Sequence, residues 1–174
     1  MDASIALILA QDGITTGAVY ALLAVGLVLV FAVTRVIFIP QGEMVTYGAL
    51  TMATLQAGNF PAVVWLLLVM GLAVFIKDVW SRLRPGALPD TGHMLRNSIL
   101  INLVWPAGVY LLTKFITPQT LSLPAQVALT LAIVAPLAPM WYRLAFEPLA
   151  HASVLVLLIV AVAVHFVMLG LGLA

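Results

Sequence analysis

Apolar residues run along this chain in long uninterrupted stretches, and polar residues gather in short breaks between them. Residues 13–34 carry no charge, and about 20 mostly apolar residues suffice for a helix to cross the hydrocarbon core of a bilayer. Residues 44–76 are likewise uncharged, but Gly58-Asn59-Phe60-Pro61 is a turn signal that divides them into spans at 44–57 and 62–76. The first of these is short unless it borrows Val36 to Ile39 from beyond a break. Residues 97–113 read as a span containing Pro106. The stretch with Pro118, Pro124, Pro136 and Pro139 reads as a loop followed by a span at 124–142, and residues 152–174 form the last span. None of these runs alternates as a barrel strand does. The pattern predicts an all-α fold: a polytopic transmembrane helical bundle of about six spans, with a broken helix near residues 36–43. Residues 1–174 form one membrane domain, and residues 77–96 a basic loop.

Composition agrees. With 64% hydrophobic and only 7% charged residues, the chain cannot cover a water-facing surface. A net charge of +1, with no basic run interleaved with aromatics, points away from nucleic acid. Absence of cysteine excludes disulfides, thiolate metal sites and thiol nucleophiles. No Lys or Arg precedes Arg35, so the start lacks the basic region of a secretory signal. Residues 3–10 are too short to span; they either lie in the interface, with Ile5, Ile8 and Leu9 on one face, or extend the first span.

Charge changes the picture by giving the bundle a direction. If spans alternate, the connections at 35–43, 77–96 and 143–151 share one side and hold Arg35, Lys77, Arg82, Arg84, Arg96 and Arg143, whereas the opposite connections hold only Lys114. By the excess of basic residues in cytoplasmic loops, that side is cytoplasmic and the N-terminus periplasmic. Trp65, Trp80, Trp105, Trp141, Tyr110 and Tyr142 lie mostly near span ends and read as interfacial anchors.

Candidate chemistry is sparse. Gly13, Gly17 and Ala21 recur every four residues and predict a close helix–helix contact. In the segment Arg35-Val-Ile-Phe-Ile-Pro40-Gln41-Gly42-Glu43, Pro40 lacks an N–H and turns Ile39 away from helix. Glu43 then suits the positive end of a following helix. From the residues alone this is either an interfacial turn or a helix broken inside the membrane. His165, midway along the last span, is either a hydrogen-bonded histidine facing a neighbouring helix or a proton or substrate group. His93 and His151 fall in loops, so bis-histidine haem ligation is a poor fit. The sequence holds no GxSxG elbow, no HExxH, no paired intramembrane aspartates and no phosphate-binding GxxxxGK[ST]. The expectation is a transport subunit without enzymatic activity, cofactor or metal, ATP hydrolysis being left to a partner.

Residues 13–50 resemble the opening of the Liv-type permeases, the membrane subunits of ABC importers for branched-chain amino acids, with relatives for urea and amides. Gly13, Gly17, Tyr20, Ala21 and Leu22 match that family's first helix, Gln41, Gly42 and Glu43 its break, and Gly48-Ala49 the sequel. Arg143 to Leu149 resembles the family's Arg-x-x-Tyr-Arg-Pro-Leu connection. Phe38-Ile39-Pro40 stands where the family has Asn-Phe-Ala, and Glu147 where it has a basic residue. The basic loop and a neighbouring pair of spans read as an insertion, and the chain resembles an N-terminal half of the family's length.

The resemblance implies a pathway or gate at Pro40, Gln41, Gly42, Glu43 and Tyr47. It also implies partners: ATPase subunits, a second permease subunit, a periplasmic substrate-binding protein and the lipid bilayer. The rival expectation is a small non-transporting membrane protein that binds or stabilises other membrane subunits.

Overall fold

A computed structural model describes residues 3–83, 98–115 and 121–173, which are helical with no strand among them. Among the described residues six helices follow one another: α1 Ala3–Thr34, α2 Gln41–Gln56, α3 Val63–Leu83, α4 Leu100–Phe115, α5 Leu123–Leu149 and α6 Val154–Leu173. Of these, α1, α3, α5 and α6 are long and apolar enough to cross a membrane, while α4 is shorter. The chain is thus a membrane-embedded helical bundle, and the span expected at 44–57 is the 16-residue α2.

Side-chain contacts fix the relative directions of α3, α4 and α5. Ser98, just before α4, meets Asp78 near the end of α3, and Arg143 near the end of α5 meets the same carboxylate. At the opposite end Phe60, Trp65 and Tyr110 cluster, and Lys114 lies over the Tyr110 ring. Helices α3, α4 and α5 therefore run up and down, with Lys77 and Arg143 at one end and Lys114 at the other. Arg84, Arg96 and His93 lie outside the described residues, and of Arg82 only the helical backbone is described.

The core lies around α3. Val64, Leu67, Met70, Gly71, Val74 and Asp78 recur at helical spacing on its buried face, which packs against α4 and α5. Turn chemistry ends α2 as the sequence predicts. Gly58 takes a φ of 74°, its N–H donates to the Leu55 carbonyl, and the Asn59 N–H donates to the Thr54 carbonyl, the double closure of a Schellman turn.

Proline shapes α4 and α5. Pro106 cannot donate to the Asn102 carbonyl, and residues 100–104 widen into a π-helical turn. Pro136 likewise frees the Ala132 carbonyl, which accepts the Trp105 indole N–H at 3.1 Å. A second π-helical turn at 142–146 precedes Pro148.

Of the two readings of residues 3–10, extension of the first span holds: α1 is continuous from Ala3. No proline interrupts it, and at 32 residues it is about 48 Å long, so it must tilt or protrude beyond the core. Residues 77–83 are not loop but the last turns of α3, held there by Lys77 and Asp78 contacts to α5. Trp141 is not an interfacial anchor. It is 9% exposed, with its indole N–H buried and without a hydrogen-bond partner.

Candidate functional site

The segment after α1 decides where α2 starts. Arg35 adopts a left-handed φ of 57°, uncommon for a residue with a side chain, and this reverses the chain at the end of α1. Residues 35–38 are then irregular, and a turn at 39–40 leads into α2. Val36, Phe38 and Pro40 are buried, with the Phe38 ring 5.9 Å from that of Phe146 in α5. The segment therefore runs back into the bundle.

Two independent contacts give its depth. The Gln41 amide donates to the Leu23 carbonyl at 2.9 Å. Leu23 lies eleven residues before the end of α1, about 16 Å at the helical rise. On the other side Glu43 stands 2.9 Å from His165, which lies eleven residues into α6, again about 16 Å. Six steps of extended chain cover roughly 20 Å, enough for the return. The first turn of α2 thus lies near the middle of a bundle that spans a hydrocarbon core of about 30 Å.

The predicted residues divide between two sides of this turn. Gln41 and Gly42 face α1, where they line a cavity of about 400 Å3 with Tyr20, Leu23, Leu27 and Phe38. Gly26 makes room for Gln41, since a Cβ there would stand 2.8 Å from the amide nitrogen. At Gly42 a Cβ would meet nothing within 4 Å, so the backbone is open at this point. No side chain caps the helix, leaving its positive end at mid-depth.

Glu43 and Tyr47 face α6 instead. The Glu43 side chain is 15% and that of His165 29% exposed. Oε2 of Glu43 and Nδ1 of His165 are close enough for an ion pair but out of line for a hydrogen bond, and neither has another hydrogen-bond partner. A carboxylate in this setting needs such a neighbour. Tyr47 is buried; its hydroxyl donates to the Met168 carbonyl at 2.6 Å and its ring lies against Gly172. It tethers α2 to α6 and does not line the cavity.

Among the described residues the stripe Gly13, Gly17, Ala21 has no packed neighbour. A Cβ at Gly13 or Gly17 would meet nothing within 4 Å, and no residue of α1 is buried. Gly17→Leu is accordingly expected to leave the melting temperature of the isolated chain within about 1 °C, in keeping with a surface substitution. A loss of assembly with unchanged melting would locate a partner on α1.

A second polar group was not foreseen from sequence. Asp78, 8% exposed, accepts Nη2 of Arg143 at 2.8 and 2.9 Å and the Ser98 hydroxyl. Asn102 donates to Ser98 at 3.1 Å. Lys77 donates to the Arg143 carbonyl and pairs with Glu147 at 2.6 Å. Glu147 is thus matched by Lys77. The signal was available in the i, i+4 spacing of Ser98 and Asn102 and in an acid beside Lys77, but reading 77–96 as loop hid it. All four charges of this group are paired, which suits a clamp between α3, α4 and α5. Among the described residues no three metal-ligating side chains converge.

No family model matches the chain, and no curated protein and no solved structure matches it either.

Proposed function

We propose that the chain is a permease subunit of an ABC importer for branched-chain or related amino acids, contributing part of the translocation pathway across a bacterial cytoplasmic membrane. The observation that carries this reading is the uncapped start of α2 at mid-depth, beside an apolar cavity. Transporters place half-helix N-termini there because backbone N–H groups and the helix dipole attract anionic groups of a substrate. An amino acid with an apolar side chain presents a carboxylate to such a helix end and a hydrocarbon group to such a wall. The resemblance of residues 13–50 and 143–149 to the Liv-type opening supports the same substrate class.

On this reading the end with Lys77 and Arg143 is cytoplasmic and the N-terminus periplasmic. Two ATPase subunits, a second permease subunit and a periplasmic binding protein complete the importer. The chain itself hydrolyses nothing.

The rival, a non-transporting membrane protein that stabilises other membrane subunits, is favoured by α1, whose 32 residues include none that is buried. Uptake separates the two. Radiolabelled leucine is offered to a transport-deficient strain carrying the cognate binding protein and ATPase, with and without this chain. The proposal expects uptake that requires both the chain and ATP. Glu43→Gln, which removes the carboxylate charge facing His165, is expected to slow uptake roughly ten-fold or more with membrane insertion unchanged. Chain-independent uptake, with the chain inserted, would leave the rival standing.

A further inference from the structure

We infer that the cleft between the end of α1 and the proline-containing part of α5 binds one anionic phospholipid, an acyl chain lying in the cleft and the phosphate pairing with Arg35. The cleft holds about 230 Å3 between Val30 and Thr34 of α1, Val36 and Phe38 of the returning segment, and Pro139 and Tyr142 of α5. The surface these residues present is wholly apolar, so water has no polar partners there. Left empty, the cleft would forfeit dispersion contacts on both walls. A flexible hydrocarbon chain entering from the bilayer restores them.

Its shape is built in. The regular helix of α5 is interrupted by a turn at residues 135–136, where Pro136 stands, and α1 buries no residue against its neighbours. The two helices therefore do not close on one another.

Arg35 supplies the headgroup contact. It lies between Thr34 and Val36, both of which line the cleft, and its reversed backbone keeps it at the end of α1. Arg35 is exposed and enters no ion pair among the described residues. Among the described residues the acids at its end of the bundle are taken: Asp78 by Arg143 and Glu147 by Lys77. Glu43 lies deeper, beside His165. Asp12 lies 23 residues back along the chain, at the other end of α1. The complement to a free guanidinium beside an apolar cleft at a membrane surface is a lipid phosphate. An anionic lipid satisfies it better than a zwitterionic one, whose own ammonium competes for the phosphate.

The experiment is native mass spectrometry of the purified chain, titrated in detergent with phosphatidylglycerol or phosphatidylcholine of identical acyl chains. The wild type is expected to retain one phosphatidylglycerol about five-fold more strongly than phosphatidylcholine, the increment of one basic residue at an anionic surface. Arg35→Gln should abolish the preference while weak binding of both lipids persists, and Arg35→Lys should keep most of it. Ala138→Phe, which fills the cleft from α5, should lower retention of both lipids. Free glycerol phosphate should not compete, because the hydrocarbon chain is part of the site. Equal retention of the two lipids by the wild type would overturn the proposal without needing any variant. So would a preference that survives Arg35→Gln, or displacement by glycerol phosphate alone.

Discussion

Gly71→Ala is expected to destabilise the bundle by about 3 kcal/mol, the upper end for forcing extra volume into a packed interior. A Cβ at this position would stand 2.2 Å from the Asn102 carbonyl oxygen, 3.1 Å from Cγ of Pro106 and 3.3 Å from the Asn102 carbonyl carbon. Ordinary carbon–oxygen contacts begin near 3.3 Å, so α3 and α4 would have to separate by about 1 Å. No side-chain rotation can relieve this, because the nearest atom belongs to the backbone and the next to a proline ring. Helix propensity pulls the other way, since alanine exceeds glycine by about 1 kcal/mol in a helix interior. The steric term is larger and decides the sign.

Gly108→Ala in α4 supplies the contrast. A Cβ there meets nothing within 4 Å, and the same exchange should be neutral or slightly stabilising. Unfolding of both variants in mixed micelles, followed by far-UV circular dichroism, reads the difference. If Gly71→Ala matched or exceeded the wild type, the close approach of α3 to α4 would be wrong. The carbonyl involved is the one that Pro106 leaves without its usual donor, so Pro106→Ala should weaken the effect of Gly71→Ala. That coupling is measurable as a departure from additivity.

Why Gly71 escapes a sequence reading is instructive. It is one glycine in an apolar run, flanked by Met70 and Leu72, and nothing local distinguishes it from Gly108. Only a neighbour 31 residues further on makes it critical. The helices themselves were legible because the absence of charge over 20 residues is a local property. The break was legible because Pro40 and Gly42 act on their own backbone, and the end of α2 because Gly58 does the same. The depth of Glu43 was not. It depends on Arg35 reversing the chain and on residues 35–40 returning along α1, so it is set by partners in α1 and α6. Trp141 was misplaced for a related reason. An aromatic near a span end can face lipid headgroups or the bundle, and spacing does not say which. Asp78 was passed over because the positive-inside argument counts Lys and Arg alone.

Asp78→Ala is expected to cost about 2–3 kcal/mol. Removing one partner of a fully buried pair typically costs 3–5 kcal/mol, because the other charge is left uncompensated. Arg143 has a side chain 36% exposed, so solvent screens part of the loss and the lower figure applies. Removal also strands Ser98, whose hydroxyl donates to the same carboxylate while accepting from Asn102. Asp78→Asn separates charge from hydrogen bonding: the amide oxygen can still accept from Ser98, but nothing neutralises Arg143. It should therefore fall between wild type and Asp78→Ala. Arg143→Ala alone leaves the Asp78 carboxylate buried at 11% side-chain exposure and should cost at least as much as Asp78→Ala. Asp78→Ala combined with Arg143→Ala should cost less than the two added together, by about 1–3 kcal/mol, since the residues touch. The same unfolding assay measures all four chains. Strict additivity would mean that the pair contributes no interaction of its own, and the clamp between α3 and α5 would have to be assigned to Lys77 and Glu147. A clear shortfall would place the tie between these helices at Asp78, about two helical turns beyond the glycine that lets α4 approach.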